Sequence, residues 1–312
     1  MKRTVTIVNI ADIELYETPG FGREGSSGGK AFPLDTGVPG VILEFSWRRY
    51  DKGYGTPRHK HIFDQYRYNL TGKRQIKDGF LEAGEVAFYP EGVYYGPQLQ
   101  EEECTGLGLQ FQGLTGIPYL THAQLREARK AMLAEGAIFK NGIYTKILPD
   151  GRKINKDSHL ALTEYVSGKK VDFPEGRFEK PIVMKPQAHP WISDRKVAGV
   201  EHKRLGTFGG SGIRFTRLAP GAKIPARREE DAEIRYLIEG SIEYDGKTWQ
   251  GGKTKDVGTY MFVQHGADVG EIATKTGGTF YVIELPMLAD IAAQRARESA
   301  AAASRSELAG AK

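Results

Sequence analysis

The chain has very little cysteine: a single residue, Cys104, among 312. One thiol excludes an intramolecular disulfide and any thiolate metal cluster built within one chain, and it fits a reducing compartment. Cys104 sits beside Glu101, Glu102 and Glu103, whose charges disfavour a thiolate, so it reads as buried filler. Long apolar runs are also missing, and nothing approaches the roughly 20 residues needed to span a bilayer. Residues 1–10 carry two basic side chains and then alternate polar with apolar, which predicts a strand and not a signal peptide. A large excess of either charge is missing too: 44 Lys and Arg against 39 Asp and Glu leave a net charge of +5. The densest basic stretch, Arg48, Arg49, Lys52, Arg58 and Lys60, is short, and no helix-turn-helix pattern accompanies it. The expectation is a cytoplasmic protein that takes a small-molecule partner, with no nucleic acid and no membrane.

What is abundant is glycine, with 39 residues, as a fold with many turns between short strands requires. Residues 41–47, 65–70, 84–90 and 106–112 are β-rich and separated by Gly, Pro and Asp turns, which predicts an all-β sandwich or barrel. Thr121 to Glu135 breaks the pattern with Leu125, Ala128, Met132 and Leu133 at helical spacing behind a Thr121 cap. Residues 136–200 hold five prolines and read as a connector with some strands. A second β-rich block follows, with strands at 213–218, 234–238, 259–263 and 279–285. Asn69-Leu70-Thr71-Gly72 matches Leu237-Ile238-Glu239-Gly240, and Gly84 to Gly92 matches Gly258 to Gly266, so the second block repeats the first. The expected division is a first barrel at 1–118, a helix and connector at 119–200, a second barrel at 201–288 and an Ala-rich tail at 289–312, frayed from 300 onward.

The segment Gly53 to Gly72 carries the chemistry. His59 and His61 are two apart, so a strand would turn both rings to one face, and Gln65 and Arg67 share their parity. Inside a small barrel that face is the lumen, where two imidazoles can bind Fe, Mn, Ni, Cu or Zn. Here the chain resembles the cupin superfamily. Gly53, His59, His61, Gln65 and Gly72 follow that family's first motif, with Gln in place of its Glu. Gly84, Pro90, Gly92 and Tyr95 follow the second, with Tyr in place of its last His. The resemblance implies an all-β, two-barrel (bicupin) jelly-roll fold with a helical insertion between the barrels, and a homodimer. It further implies one divalent transition metal on His59, His61 and Gln65, an acid/base or orienting role for Tyr95, and an anionic substrate held by Arg67.

Tyr94 to Gln98 should line the pocket mouth, and Gln110 and Gln112 share one face of a later strand, so Gln98, Gln110 and Gln112 join Arg67 as candidate substrate contacts. His122, His159, His189, His202 and His265 have no ligand-like spacing and read as surface or packing histidines. The glycine-rich run 206–212 precedes a strand, which argues against a phosphate loop. The second block keeps the spacing and loses the chemistry: Arg227, Glu229, Glu233 and Val269 stand at the ligand positions. Arginine cannot ligate a cation, so this barrel is expected to be metal-free and cross-braced by Arg227 with Glu229 and Glu233, the alternative being an anion held by Arg227 or Arg228.

Three functions remain open on these residues. The first is a metal-dependent enzyme acting on a small anionic or oxygenated molecule, with dioxygenase placed ahead of decarboxylase, isomerase or hydrolase. The second is a metal-free, epimerase-like enzyme with His61 as base and Tyr95 as acid. The third is a non-catalytic ligand-binding or sensory bicupin.

Overall fold

The computed structural model describes residues 3–19, 25–76, 79–113, 117, 119–294 and 297. Two antiparallel sheets account for most of it. The first runs Ile182–Met184, Val86–Tyr89, Phe63–Thr71, Cys104–Gln112, Leu43–Tyr50, Ser26–Ala31, Tyr16–Pro19. The main path of the second runs Val5–Asn9, Thr259–Val263, Ala232–Tyr244, Gly278–Leu285, Ser211–Leu218, Val200–Phe208, Ile192–Ser193. The two lists share one order, strand for strand, as a duplicated domain should. All eight central strands lie where the alternation placed them, with the ends shifted by a few residues.

The repeat is completed by an exchange that crosses the expected boundaries at 118 and 201. Val5–Asn9 does not join the first barrel; it pairs with Thr259–Val263 at the edge of the second sheet. Ile182–Met184, from the connector, pairs with Val86–Tyr89 at the corresponding edge of the first. An uncovered edge strand exposes a row of backbone donors and acceptors. Each half of the chain closes that row for the other.

The faces of the two sheets meet in one apolar core, rich in aromatic rings. Phe32 stacks on Tyr260 at 4.6 Å, Tyr68 on Tyr281 at 4.7 Å and Phe88 on Phe208 at 5.1 Å. Each such contact adds about 0.5–1.5 kcal/mol beyond area burial. Tyr66 Oη reinforces the seam by donating to Phe208 O at 2.8 Å.

Between the barrels lie two helices, α1 (His122–Ala134) and α2 (Ser158–Ser167). The first is the expected one, opened by a capping box between Thr121 and Gln124. The second was read as connector; Asp157 caps it and Gly168, in the left-handed conformation, ends it. Residues 287–294 are helical, and the tail from 300 onward lies outside the described residues. Among the described residues no helix is long and apolar enough to cross a membrane.

The second barrel has the expected ionic bracing with different members. Arg227 is 43% exposed on a two-residue strand at the rim and reaches only Glu229. The buried cations are Arg214, on Glu233 at 2.8 Å and Glu284 at 2.7 Å, and Arg235, on Glu233 at 2.7 Å and on Glu229. Burial pushes the Glu233 carboxyl up, but Arg235 and Arg214 outweigh it and hold the pKa at about 2. A folded-state pKa below the ordinary 4.5 means that the carboxylate's stabilisation is full above about pH 4.5 and is lost as pH falls towards 2. Glu233→Gln is expected to cost about 3–5 kcal/mol at pH 7, because it strips buried guanidinium groups of their partner. In urea titrations the difference from the parent protein should shrink as pH falls below 4.5.

Candidate functional site

The pocket is assembled by backbone pairing. His59 N donates to Tyr95 O and Tyr95 N to His59 O, both at 3.0 Å, a single bridge that holds the two side chains together. The short pairing of Gly55–Thr56 with Gln98–Leu99 continues it. Residues 59–61 were expected to form a strand, and they form only this bridge; Pro57, just before it, has no N–H for a ladder. Gly96 is required beside it, since it adopts φ +82° and a Cβ there would lie 3.0 Å from Pro57 O. The predicted convergence survives the loss of the strand. The His59 and His61 rings lie 4.9 Å apart, and the Tyr95 ring is 4.4 Å from His59 and 5.6 Å from His61. All three side chains are buried.

Gln65 and Arg67 follow the predicted parity on Phe63–Thr71. Arg67 Nε donates to Gln65 Oε1 at 3.0 Å, Gln65 Nε2 donates to Tyr95 Oη at 3.0 Å, and Arg67 Nη2 donates to Tyr95 Oη at 3.1 Å. The triangle commits the Gln65 amide oxygen to a guanidinium. His59 Nδ1 lies 2.7 Å from Pro57 O. A carbonyl only accepts, so Nδ1 carries the proton and Nε2 is the acceptor nitrogen of that ring.

These residues line a cavity of about 120 Å³, and among the described residues none of its lining side chains is Asp or Glu. A divalent ion would meet two imidazoles and an amide oxygen that already accepts from a cation. Among the described residues no carboxylate lines the cavity to offset the repulsion between the ion and Arg67. Among the described residues no group of three or more His, Cys, Asp or Glu is arranged to hold a metal. The donor set does not fit a tightly held dication.

The remaining expected contacts divide. Gln98 is buried at the cavity, but its Nε2 donates to Gln75 O at 2.6 Å. Gln110, opposite Gln65 in the sheet, also lines the cavity and accepts from Tyr119 Oη at 2.7 Å. The Gln112 side chain lies outside the described residues. Cys104 is buried, burial raises its pKa, and its Sγ donates to Gln100 Oε1 at 3.4 Å, in keeping with filler.

Several cavity residues carry no ligand-like signal in the sequence. His122 and His159, read as surface or packing histidines, both line the cavity from the first turns of α1 and α2. The His159 ring packs 4.9 Å from His61 and 5.6 Å from Phe63. His122 Nδ1 donates to Glu44 Oε2 at 2.9 Å, and its Nε2 accepts from Arg48 at 3.2 Å. Burial raises the Glu44 pKa, but His122 and Arg48 hold it at about 2; burial and then Arg48 lower that of His122, against the raising effect of Glu44. Arg48–Glu44–His122 thus latches the helical insertion to strand Leu43–Tyr50. Arg74 enters from the hairpin strand Arg74–Ile76.

No protein-family model matches the chain, and no curated protein matches its sequence. Solved structures match in fold. A Nostoc punctiforme protein proposed to be a dioxygenase has 14% identity and a TM-score of 0.63, over 91% of this chain and 83% of that one. A Pseudomonas aeruginosa protein proposed to be glyoxylate-induced has 9% and 0.54, over 90% and 89%. Bacillus subtilis oxalate decarboxylase, described with Mn(II) centres, has 14% and 0.52, over 89% and 75%. The duplicated sheets and these likenesses together show a two-barrel fold of the bicupin type.

Glu44→Gln is expected to cost about 3 kcal/mol, since it leaves Arg48 without its carboxylate. Amide hydrogen exchange across residues 119–134 should quicken in that variant, with the second sheet unchanged.

Proposed function

We propose that the first barrel is the active site of an enzyme that moves protons on a small oxygenated molecule, with Tyr95 as acid and His59 as base, and that it works without a resident metal. The observation that carries this reading is the pair of donors on Tyr95 Oη, from Gln65 and Arg67. Hydrogen bonds to a phenolic oxygen stabilise the negative charge left on it when its proton departs. His59 supplies the complement: with Nδ1–H held by Pro57 O, Nε2 is the basic nitrogen of a ring fixed in orientation.

The step balances without a co-reactant. His59 Nε2 takes a proton from a carbon beside a carbonyl, and Tyr95 gives its proton to the carbonyl oxygen, forming an enol. Return of the protons in the alternative sense completes an isomerisation. His61 and His159 wall this space with a ring pair that limits water. Of the functions open to the sequence, this is the epimerase-like one with the base moved from His61 to His59. The dioxygenase reading needs an ion with open coordination positions, and the committed Gln65 oxygen speaks against it.

The test is solvent deuterium incorporation, followed by NMR, using chelator-dialysed protein in D2O with a panel of short keto acids, hydroxy acids and aldoses. Incorporation beside the carbonyl is expected for the parent protein. It should fall by about 10²-fold or more in Tyr95→Phe and His59→Gln. No incorporation across the panel, or incorporation only after a metal is restored, would overturn the reading.

A further inference from the structure

The buried arginines differ in one respect. Three are fully buried among the described residues: Arg74, Arg214 and Arg235. Arg214 and Arg235 each touch two carboxylates in the second barrel. Arg74 touches none. It stacks 3.9 Å over the Tyr50 ring and hydrogen-bonds that tyrosine, while its Nε is buried with no hydrogen-bond acceptor. Half-buried Arg67 is in the same position: it forms no ion pair, and its Nη1 is buried without an acceptor. Both line the cavity of the first barrel, which has no acidic lining side chain among the described residues. Both cations have only neutral partners, and burying a charge without a counter-charge is unfavourable, so the pocket lacks a component that the described residues do not supply. Tyr50 reports the same field: burial raises its pKa, but Arg74, Arg67 and Arg48 overcome this and lower it.

We propose that the missing component is the substrate's own carboxylate, bound by Arg74 and Arg67, and that the enzyme acts on short-chain carboxylic acids. This deepens the acid–base reading of the pocket by naming its substrate class. Size limits the chain length: the cavity holds about 120 Å³, and a cavity of roughly 150 Å³ accommodates benzene, so an acid of about two to five carbons fits. Position links binding to chemistry. Arg67 donates both to Gln65 and to Tyr95, so a carboxylate on its Nη1 places the adjoining carbons beside the proton donor. A planar fork of donors suits a carboxylate.

The test is calorimetric titration and thermal denaturation of the full-length, chelator-dialysed protein with malonate, pyruvate, inorganic phosphate and the neutral analogue malonamide. Malonate or pyruvate is expected to bind and to raise the melting temperature by several degrees, and malonamide to do neither. Affinity should fall at least tenfold in Arg74→Met and in Arg67→Met. Arg74→Met should also melt higher than the parent without ligand, since it removes a buried charge that has no carboxylate partner; an arginine with a merely structural role would give the opposite shift. If Arg74→Met does not fold, that role is favoured and the inference fails for Arg74, leaving Arg67→Met to decide the anion site. The inference is overturned if no carboxylate binds, if phosphate binds in their place, or if both variants keep the parent affinity. Tyr95→Phe should keep malonate affinity. Carboxylate binding without deuterium exchange defeats the acid–base reading alone, and exchange without carboxylate binding defeats this inference alone.

Discussion

A guanidinium withdrawn from water must find a negative charge, and the two barrels of this chain meet that demand in opposite ways. In the second barrel Glu233, Glu229 and Glu284 surround Arg214 and Arg235, and the ion pairs leave a cavity of only about 30 Å³. In the first, Arg67 and Arg74 face a cavity with no acidic lining side chain among the described residues. One duplicated fold has thus become a closed, self-neutralised support and an open, cationic pocket. The cost of an unpaired buried charge is tolerable where the rest of the structure is firmly held.

Two features hold it. The exchanged edge strands, Val5–Asn9 and Ile182–Met184, tie each sheet to sequence from the other half of the chain. The aromatic seam joins the sheet faces over rings that include Phe32, Tyr68, Tyr260 and Tyr281. The helical insertion is then latched across the pocket by Arg48, Glu44 and His122, and it brings His159 against His61. The second barrel contributes to the site by rigidity, and the insertion contributes side chains.

Much of this was legible in the sequence, because period-two alternation and glycine-punctuated turns report strands directly. The spacing from Gly53 to Tyr95 located the pocket even though residues 59–61 form no regular strand: the His59–Tyr95 bridge achieves what parity alone suggested. Spacing could not show that Arg67 claims the Gln65 oxygen, which is a matter of side-chain reach within one strand. His122 and His159 escaped notice because their role depends on how the insertion docks, and no local pattern encodes that. The bracing of the second barrel was foreseen with Arg227, yet Arg235, two residues beyond Glu233 on the same face, was the member that parity favoured. Arg74 carries no motif, and its importance lies in the carboxylate it lacks.

The central claim is that the first barrel is a cationic, acid–base pocket without a resident metal. Its most direct test is elemental analysis of the protein purified without added metal or chelator, beside a His59→Ala/His61→Ala double variant. Transition-metal content far below one ion per chain, and the same in both proteins, is the expected result. A near-stoichiometric ion in the parent protein that disappears in the double variant would contradict the account and return His59 and His61 to the role of metal ligands.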